Sequence, residues 1–147
     1  MTAGDTRDRG GPLQEQLRDL AALAVVGDHV RWVLRGPGAP ALAERLAEAA
    51  GAWRAEADAV ARAMADAGIP PDARIRSLAR DIPWNWVPDG WLDADAARGL
   101  IGDRLGRLAD WTRSRLQEGA DPAHGPLLER ILARLEEGLA DLAATGC

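Results

Sequence analysis

The sequence predicts an all-α protein in which two antiparallel helical hairpins are joined by one long crossover that contains a short extra helix. Apolar residues recur at steps of three and four along four separate stretches, which is the helical period. Gly and Pro residues separate these stretches, and the first and last connections are short whereas the middle one is long. Short connections join neighbouring antiparallel helices, so only the middle connection can cross the length of the bundle.

The first helix is predicted to run from Leu13 to about Arg35 and to stop at Gly36-Pro37-Gly38. The second is predicted from Pro40, a residue that fits the first turn of a helix, to about Ala67. The apolar stripe of the first helix is Leu13, Leu17, Leu20, Leu23, Val26, Val30 and Val33, and that of the second is Leu42, Leu46, Ala49, Trp53, Ala57, Val60 and Met64.

The crossover is predicted to hold a short helix near Arg74–Arg80. Asp93 or Asp95 can cap the third long helix with a side-chain oxygen. Asp121-Pro122 fits a cap followed by proline at the start of the fourth. The apolar residues of these two helices are Leu100, Leu105, Leu108 and Leu116 in the third, and Leu128, Ile131, Leu135, Leu139 and Leu142 in the fourth.

The composition is that of a single domain. Of the 147 residues, 47% are hydrophobic, and the net charge is −5. Residues 1–11 are rich in Gly, Asp and Arg and are predicted to be a disordered tail, which leaves 12–147 as the helical domain. Cys147 is the sole cysteine, so neither an internal disulfide nor a Cys-based zinc site is expected. No apolar run is long enough for a membrane span, and we expect a cytoplasmic protein without membrane contact.

The pattern Trp32-x-x-Arg35-Gly36, placed at the end of the first helix of this helix order, resembles the Dps-like branch of the ferritin-like superfamily. The resemblance covers nearly the whole domain. It implies a ferritin-like bundle, a homodimer and a twelve-subunit cage that oxidises Fe(II) with peroxide and stores the ferric mineral. It also implies an iron site at a dimer interface, where one subunit supplies two His and an Asp and the other supplies an Asp and a Glu.

Carried onto this sequence, that ligand set is largely missing. The first His position is Arg31, the second His and the first Asp fall on Ala43 and Ala47, the partner Asp falls on Asp58, and the partner Glu falls on Arg62. Guanidinium groups keep their protons and cannot act as ligands. We therefore expect that the ferroxidase activity is lost and that no metal or other cofactor is bound. Iron is implied by the resemblance alone.

One face of the second helix combines small side chains with charges, and three functions remain open for it. The face can pack against a second copy, with Arg31 or Arg62 paired to Asp58 across the interface. It can bind a small anionic or planar ligand, with Trp32 as an aromatic wall. It can hold a metal weakly through Asp28 and Asp58, with Glu56. Its members are Ala43, Ala47, Gly51, Arg54, Asp58 and Arg62, and Asp28 and Arg31 of the first helix are expected beside them.

Trp84, Trp86 and Trp91 crowd the Pro-rich end of the crossover. They predict either an aromatic ligand wall or partner anchor, or rings that fill the open flank of the bundle or pack at a subunit contact. The second interpretation is favoured. DNA binding is not expected. The arginines of the first eleven residues are balanced by aspartates, which leaves few charges to neutralise phosphates.

Overall fold

Four long helices and one short helix make up the described part of the chain. The structure is a computed structural model, and it describes residues 11–81, 87–119 and 121–144. Helix α1 packs along α2, α4 packs along α5, and α1 joins the two hairpins by packing on α4, while α3 lies in the crossover. This architecture confirms the predicted all-α fold. The helices are α1 (Gly11–Trp32), α2 (Ala39–Asp66), α3 (Ile75–Asp81), α4 (Ala94–Gln117) and α5 (Gly125–Ala144).

The end of α1 differs from the prediction. The helix stops at Trp32, before Arg35, because Leu34 forms an isolated parallel bridge with Leu92 at the beginning of the second hairpin. The N–H of Arg35 donates to the carbonyl of Leu92 at 2.8 Å, and the N–H of Leu92 donates to the carbonyl of Val33 at 2.9 Å. These backbone groups pair with a distant segment instead of extending the helix, and local periodicity does not reveal such a partner.

Of the two predicted helix caps, one is confirmed and the other is wrong. Asp93 caps α4, because its side chain accepts a hydrogen bond from the N–H of Ala96 at 2.8 Å. The prediction for Asp121 was wrong, since α5 begins at Gly125. The carbonyl of Asp121 accepts from the N–H of His124 at 2.7 Å, which forms a separate turn ahead of the helix. The predicted tail lies outside the described residues except for Gly11, where α1 already begins.

The predicted apolar stripes form one continuous core, except that Val33 lies beyond the end of α1, is only half-buried and does not belong to the core. Leu20, Leu23, Val60 and Ile131, from three helices, are at most 1% exposed. Trp53 is also buried, as predicted, and it lies against Gly27 of α1. A Cβ atom added at Gly27 would lie 2.8 Å from the Cζ3 atom of the ring, so the absence of a side chain there makes room for the indole. Trp111, a further ring that the sequence places in α4, is only half-buried.

A polar cluster that the sequence analysis did not predict lies in this core between α1 and α4. The Arg115 guanidinium donates to Gln16 Oε1 at 2.6 Å and to Asp19 Oδ2 at 2.5 Å. The Gln16 amide donates to Thr112 Oγ1 at 3.0 Å, so the buried groups satisfy one another. Burial raises the pKa of Asp19, and the nearby Arg115 opposes that rise.

The crossover is fastened to α1 by Gln14. The amide of Gln14 donates to the backbone carbonyl of Asp72 at 2.8 Å and accepts from its N–H at 2.9 Å. The Asp72 carboxylate accepts hydrogen bonds from Arg74 and from the Ser77 hydroxyl. The hydrogen bonds from Arg74 and Ser77 hold the pKa of Asp72 well below its usual range. Leu78 then packs on Ala22, which places α3 beside α1.

Candidate functional site at the first hairpin

Asp28 is the centre of the candidate site on the first hairpin. Its Oδ1 atom accepts a hydrogen bond from Arg31 Nε at 2.9 Å, and its Oδ2 atom accepts one from Arg54 Nη1 at 2.5 Å. Burial would raise the pKa of Asp28, but the hydrogen bonds from Arg31 and Arg54 outweigh it and lower that pKa. The carboxylate therefore stays ionised, and both of its oxygens already hold guanidinium groups.

Trp32 stands at the edge of this site. Its side chain is 63% exposed, and the guanidinium carbon of Arg31 lies 5.2 Å from the ring centroid. Such a cation–π contact orients Arg31 while leaving most of the indole open to solvent.

Asp58 and Arg62 form a separate pair further along α2. The Arg62 Nε atom lies 2.9 Å from Asp58 Oδ2, and both side chains are largely exposed. Arg62 is two helical turns, about 12 Å, beyond Arg54. The structure thus brings Asp28, Arg31 and Arg54 together and leaves Asp58 paired within its own helix. The prediction that Asp58 pairs with an Arg of another copy stays a prediction.

Glu56 does not belong to this site, which corrects the weak metal set of Asp28, Asp58 and Glu56. It is only 4% exposed, and its carboxylate faces α5, where Arg130 and Arg134 lie 2.9 and 3.1 Å away. A helix turns 100° per residue, so Glu56 projects to a different side from Asp58. Within the described residues no group of three or more His, Cys, Asp or Glu side chains could hold a metal ion.

The small-residue face of α2 lies on the outside of the chain. Ala43, Ala47 and Gly51 are half-buried beside α1, and the charged residues that follow are exposed. Val25, one helical repeat before Trp32 on α1, is 56% exposed and extends this surface with an apolar group. The sequence analysis missed Val25 because it directly precedes Val26, which belongs to the buried stripe.

Trp91 is the member of the tryptophan cluster that the structure describes, whereas Trp84 and Trp86 lie outside the described residues. Its ring is 60% exposed, so Trp91 does not fill the flank of the bundle, and its packing at a subunit contact stays a prediction. The guanidinium of Arg35 lies 3.7 Å from the ring centroid. Trp91 is exposed because the bridge between Leu34 and Leu92 holds it at the end of the bundle.

Taken together, two hairpins, a long crossover with a short helix and a charged first-hairpin surface define a Dps-like form of the ferritin-like fold. Similarity to solved structures supports this. Dps of Mycobacterium smegmatis is 22% identical with a TM-score of 0.87, covering 99% of this chain and 90% of that one. DpsA14 of Streptomyces coelicolor is 26% identical with a TM-score of 0.87, covering 95% and 84%.

A Listeria innocua Dps mutant in which two His are replaced by Gly is also similar. It is 17% identical, with a TM-score of 0.85, and the match covers 94% of this chain and 93% of that one. No protein-family model and no curated protein matches the sequence. Throughout the described ranges, no helix is both long and apolar enough to cross a membrane.

Proposed function

We propose that this chain is a self-assembling protein of the Dps-like type in which ion pairs have replaced the inter-subunit iron site. It would act as a non-catalytic cage or as a ligand-binding protein. It would be related to proteins that store iron and protect from oxidants. The observation that carries the proposal is the engagement of both Asp28 oxygens by Arg31 and Arg54. A carboxylate held in this way would have to give up a guanidinium group, or share an oxygen with it, before it could bind Fe(II).

The donor chemistry supports the loss of iron oxidation. Iron is bound by imidazole and carboxylate groups with free electron pairs. By the resemblance, those groups would stand at Arg31, Ala43, Ala47, Asp58 and Arg62. Two methyl groups and two guanidinium groups provide none, and Asp58 alone cannot complete a site. The Listeria innocua mutant supports the view that a fold of this type tolerates the loss of His side chains.

Self-association is proposed through the surface that contains Val25, Trp32 and the small residues of α2. Exposed apolar side chains beside small ones allow two helices to approach closely and bury that apolar area. We expect a homodimer and a larger cage, twelve subunits by the resemblance. Light scattering coupled to size exclusion tests this: Trp32→Glu is expected to shift the protein toward monomer, and Trp91→Glu serves as the matched exposed control.

The iron proposal is tested by adding Fe(II) and peroxide to apo-protein and following ferric absorbance. We expect no acceleration over the protein-free reaction. The alternative function is an active ferroxidase with a non-standard site that uses Asp28 or Asp58. Saturable oxidation that disappears in Asp28→Ala or in Asp58→Ala, while Asp66→Ala retains it, would overturn the proposal and establish that alternative.

A ligand-binding function would centre on Arg31, Trp32 and Arg54. A planar anion could stack on the exposed indole and pair with a guanidinium group, which is the geometry that arginine favours. Titration of a panel of aromatic carboxylates against tryptophan fluorescence tests this function. Saturable quenching that is lost in Trp32→Leu and kept in Trp91→Leu is the expected result, and an equal response in both variants would contradict it.

DNA is not a proposed partner. Many surface arginines already have carboxylate neighbours: Arg107 pairs with Asp103, and Arg113 pairs with both Asp110 and Glu136. Paired arginines release few counterions from a phosphate backbone. No mobility shift of duplex DNA at about 0.1 M salt is expected, and a clear shift would contradict this part of the proposal.

A further inference from the structure

A groove with a volume of about 970 Å³ separates α2 from α5. Its floor is apolar and includes Leu46, Trp53 and Leu105. The groove forms because α5 packs mainly against α4 and makes little contact with α2. A Cβ atom at Gly102 would lie 3.5 Å from Leu142, and one at Gly138 would lie 3.8 Å from Leu105. The close approach of α4 and α5 leaves α2 apart from α5 along this stretch.

The groove closes just beyond Trp53, where Glu56 of α2 holds Arg130 and Arg134 of α5. From Ala41 to Trp53 the α2 wall is about 18 Å long, at 1.5 Å per residue. The groove is therefore elongated, and its volume falls within the range of small-molecule sites. Its length favours an extended ligand.

Both walls of the groove carry carboxylates. Glu44 and Glu48 line it from α2, and Glu137 and Asp141 line it from α5. Within the described residues none of the four forms an ion pair, although arginines neutralise many carboxylates elsewhere on this chain. Three guanidinium groups also line the groove. Arg130 and Arg134 pair with Glu56, so the four carboxylates outnumber Arg45, which has no carboxylate partner among the described residues of the groove.

The four carboxylates are spaced along the length of the groove. On each wall they are one helical turn apart, about 6 Å, and in the described ranges no three acidic, His or Cys side chains gather around a single point. A compact metal ion does not match this arrangement. A complementary ligand must distribute positive charges along its length and place apolar segments on the floor between them.

We propose that the groove binds a linear aliphatic polyamine. In such molecules three or four methylene groups separate successive ammonium groups, a spacing comparable to one helical turn. The methylene segments would cover the apolar floor while the ammonium groups reach the carboxylates on the two walls. The same division between apolar stem and charged end lets lysine lie along apolar surfaces.

Calorimetric titration with spermine at about 0.1 M salt tests the proposal, because non-specific attraction is largely screened there. The expected result is saturable binding of one molecule per chain. Glu48→Gln with Asp141→Asn should weaken it by about two- to fivefold for each carboxylate removed, the range of an exposed ion pair. Asp66→Asn with Glu129→Gln removes the same charge outside the groove and should leave binding unchanged.

A second variant separates shape from charge. Ala52 and Ala133 line the groove, and Ala52→Leu with Ala133→Leu would fill it without changing any charge. This variant should bind no spermine, while circular dichroism verifies that it remains helical. The proposal would be overturned if the filled variant still bound spermine, or if the Asp66 and Glu129 control lost as much affinity as the groove variant. It would also be overturned if Mg²⁺, added at the same concentration of positive charge, gave the same heat of binding as spermine. These variants leave Asp28, Arg31, Arg54 and Asp58 unchanged, so their outcome is independent of the iron test.

Discussion

Arg115 Nη2 lies 2.5 Å from Asp19 Oδ2 in an ion pair that joins the two hairpins inside the core, with each side chain only 10% exposed. Removal of Asp19 leaves the buried guanidinium group of Arg115 with the more exposed Glu15, 3.4 Å from its Nε atom, as its remaining carboxylate partner. We expect Asp19→Ala to lower the free energy of unfolding by about 3–5 kcal/mol. Urea denaturation followed by circular dichroism measures this change.

The double variant Asp19→Leu with Arg115→Met is the matched control for that experiment. Because it removes both charges and keeps the volume, we expect it to be more stable than Asp19→Ala. A double variant less stable than Asp19→Ala would contradict the assignment of the loss to the buried guanidinium group that has lost Asp19.

Acid should weaken the anchor of the crossover through Asp72. The hydrogen bonds from Arg74 and Ser77 lower the pKa of Asp72 from its ordinary value of 3.8. A carboxyl group with a lowered pKa in the folded state stabilises the fold above its unfolded pKa, and that contribution is lost as pH falls through the folded pKa. The difference in unfolding free energy between wild type and Asp72→Asn should therefore shrink as the pH falls below about 4.

Urea titrations at several pH values between 2 and 6 would measure that difference. Asp66→Asn, which changes an exposed aspartate at the end of α2, is the matched charge control in the same titrations. If Asp72→Asn differs from wild type equally at every pH, the hydrogen bonds to the ionised carboxylate do not stabilise the crossover.

A methyl group at Gly27 should destabilise the first hairpin. It would meet the Trp53 ring at 2.8 Å, and a large buried ring has little room to move. We expect Gly27→Ala to lower the unfolding free energy by about 1–3 kcal/mol despite the better helix propensity of alanine. Adding Trp53→Leu should reduce the penalty of Gly27→Ala in a double-mutant cycle, and additive effects would show that the ring is not responsible.

Glu56 should be more important to stability than either of its arginines. Its carboxylate is buried, whereas the Arg130 and Arg134 side chains are about half exposed. Replacement by Ala would leave two cations without a partner between α2 and α5, and we expect a loss of about 1–3 kcal/mol. Arg130→Ala should have a smaller effect because Arg134 still pairs with Glu56. Thermal unfolding of the two variants compares them directly, and an equal loss in both would contradict this ranking.

Much of the fold follows from local patterns in the sequence. The apolar steps of three and four place Leu20, Val60 and Ile131 in the core, and Asp93 acts as a cap because the capping oxygen needs only its own helix. The bridge between Leu34 and Leu92 and the Gln14 contact with Asp72 could not be predicted in this way. They join segments far apart in sequence, and the partner becomes apparent only after the helices have packed.

The contacts of the candidate site also differ in whether the sequence could predict them. The Asp28–Arg31 pair could be expected from its spacing of three residues on one helix. The contribution of Arg54 depends on how α2 is set against α1, and the burial of Glu56 depends on the position of α5. Residue spacing within one helix predicts neither contact.

The backbone bridge between Leu34 and Leu92 ties together the two ends of the segment that includes α2 and the whole crossover. The hydrogen bonds of this bridge therefore hold the two ends of that segment next to each other. If the crossover unfastened locally, the start of α4 would still be held beside the turn that precedes α2. Slow amide exchange at Arg35 and Leu92, alongside fast exchange within the crossover, would be the signature of that attachment.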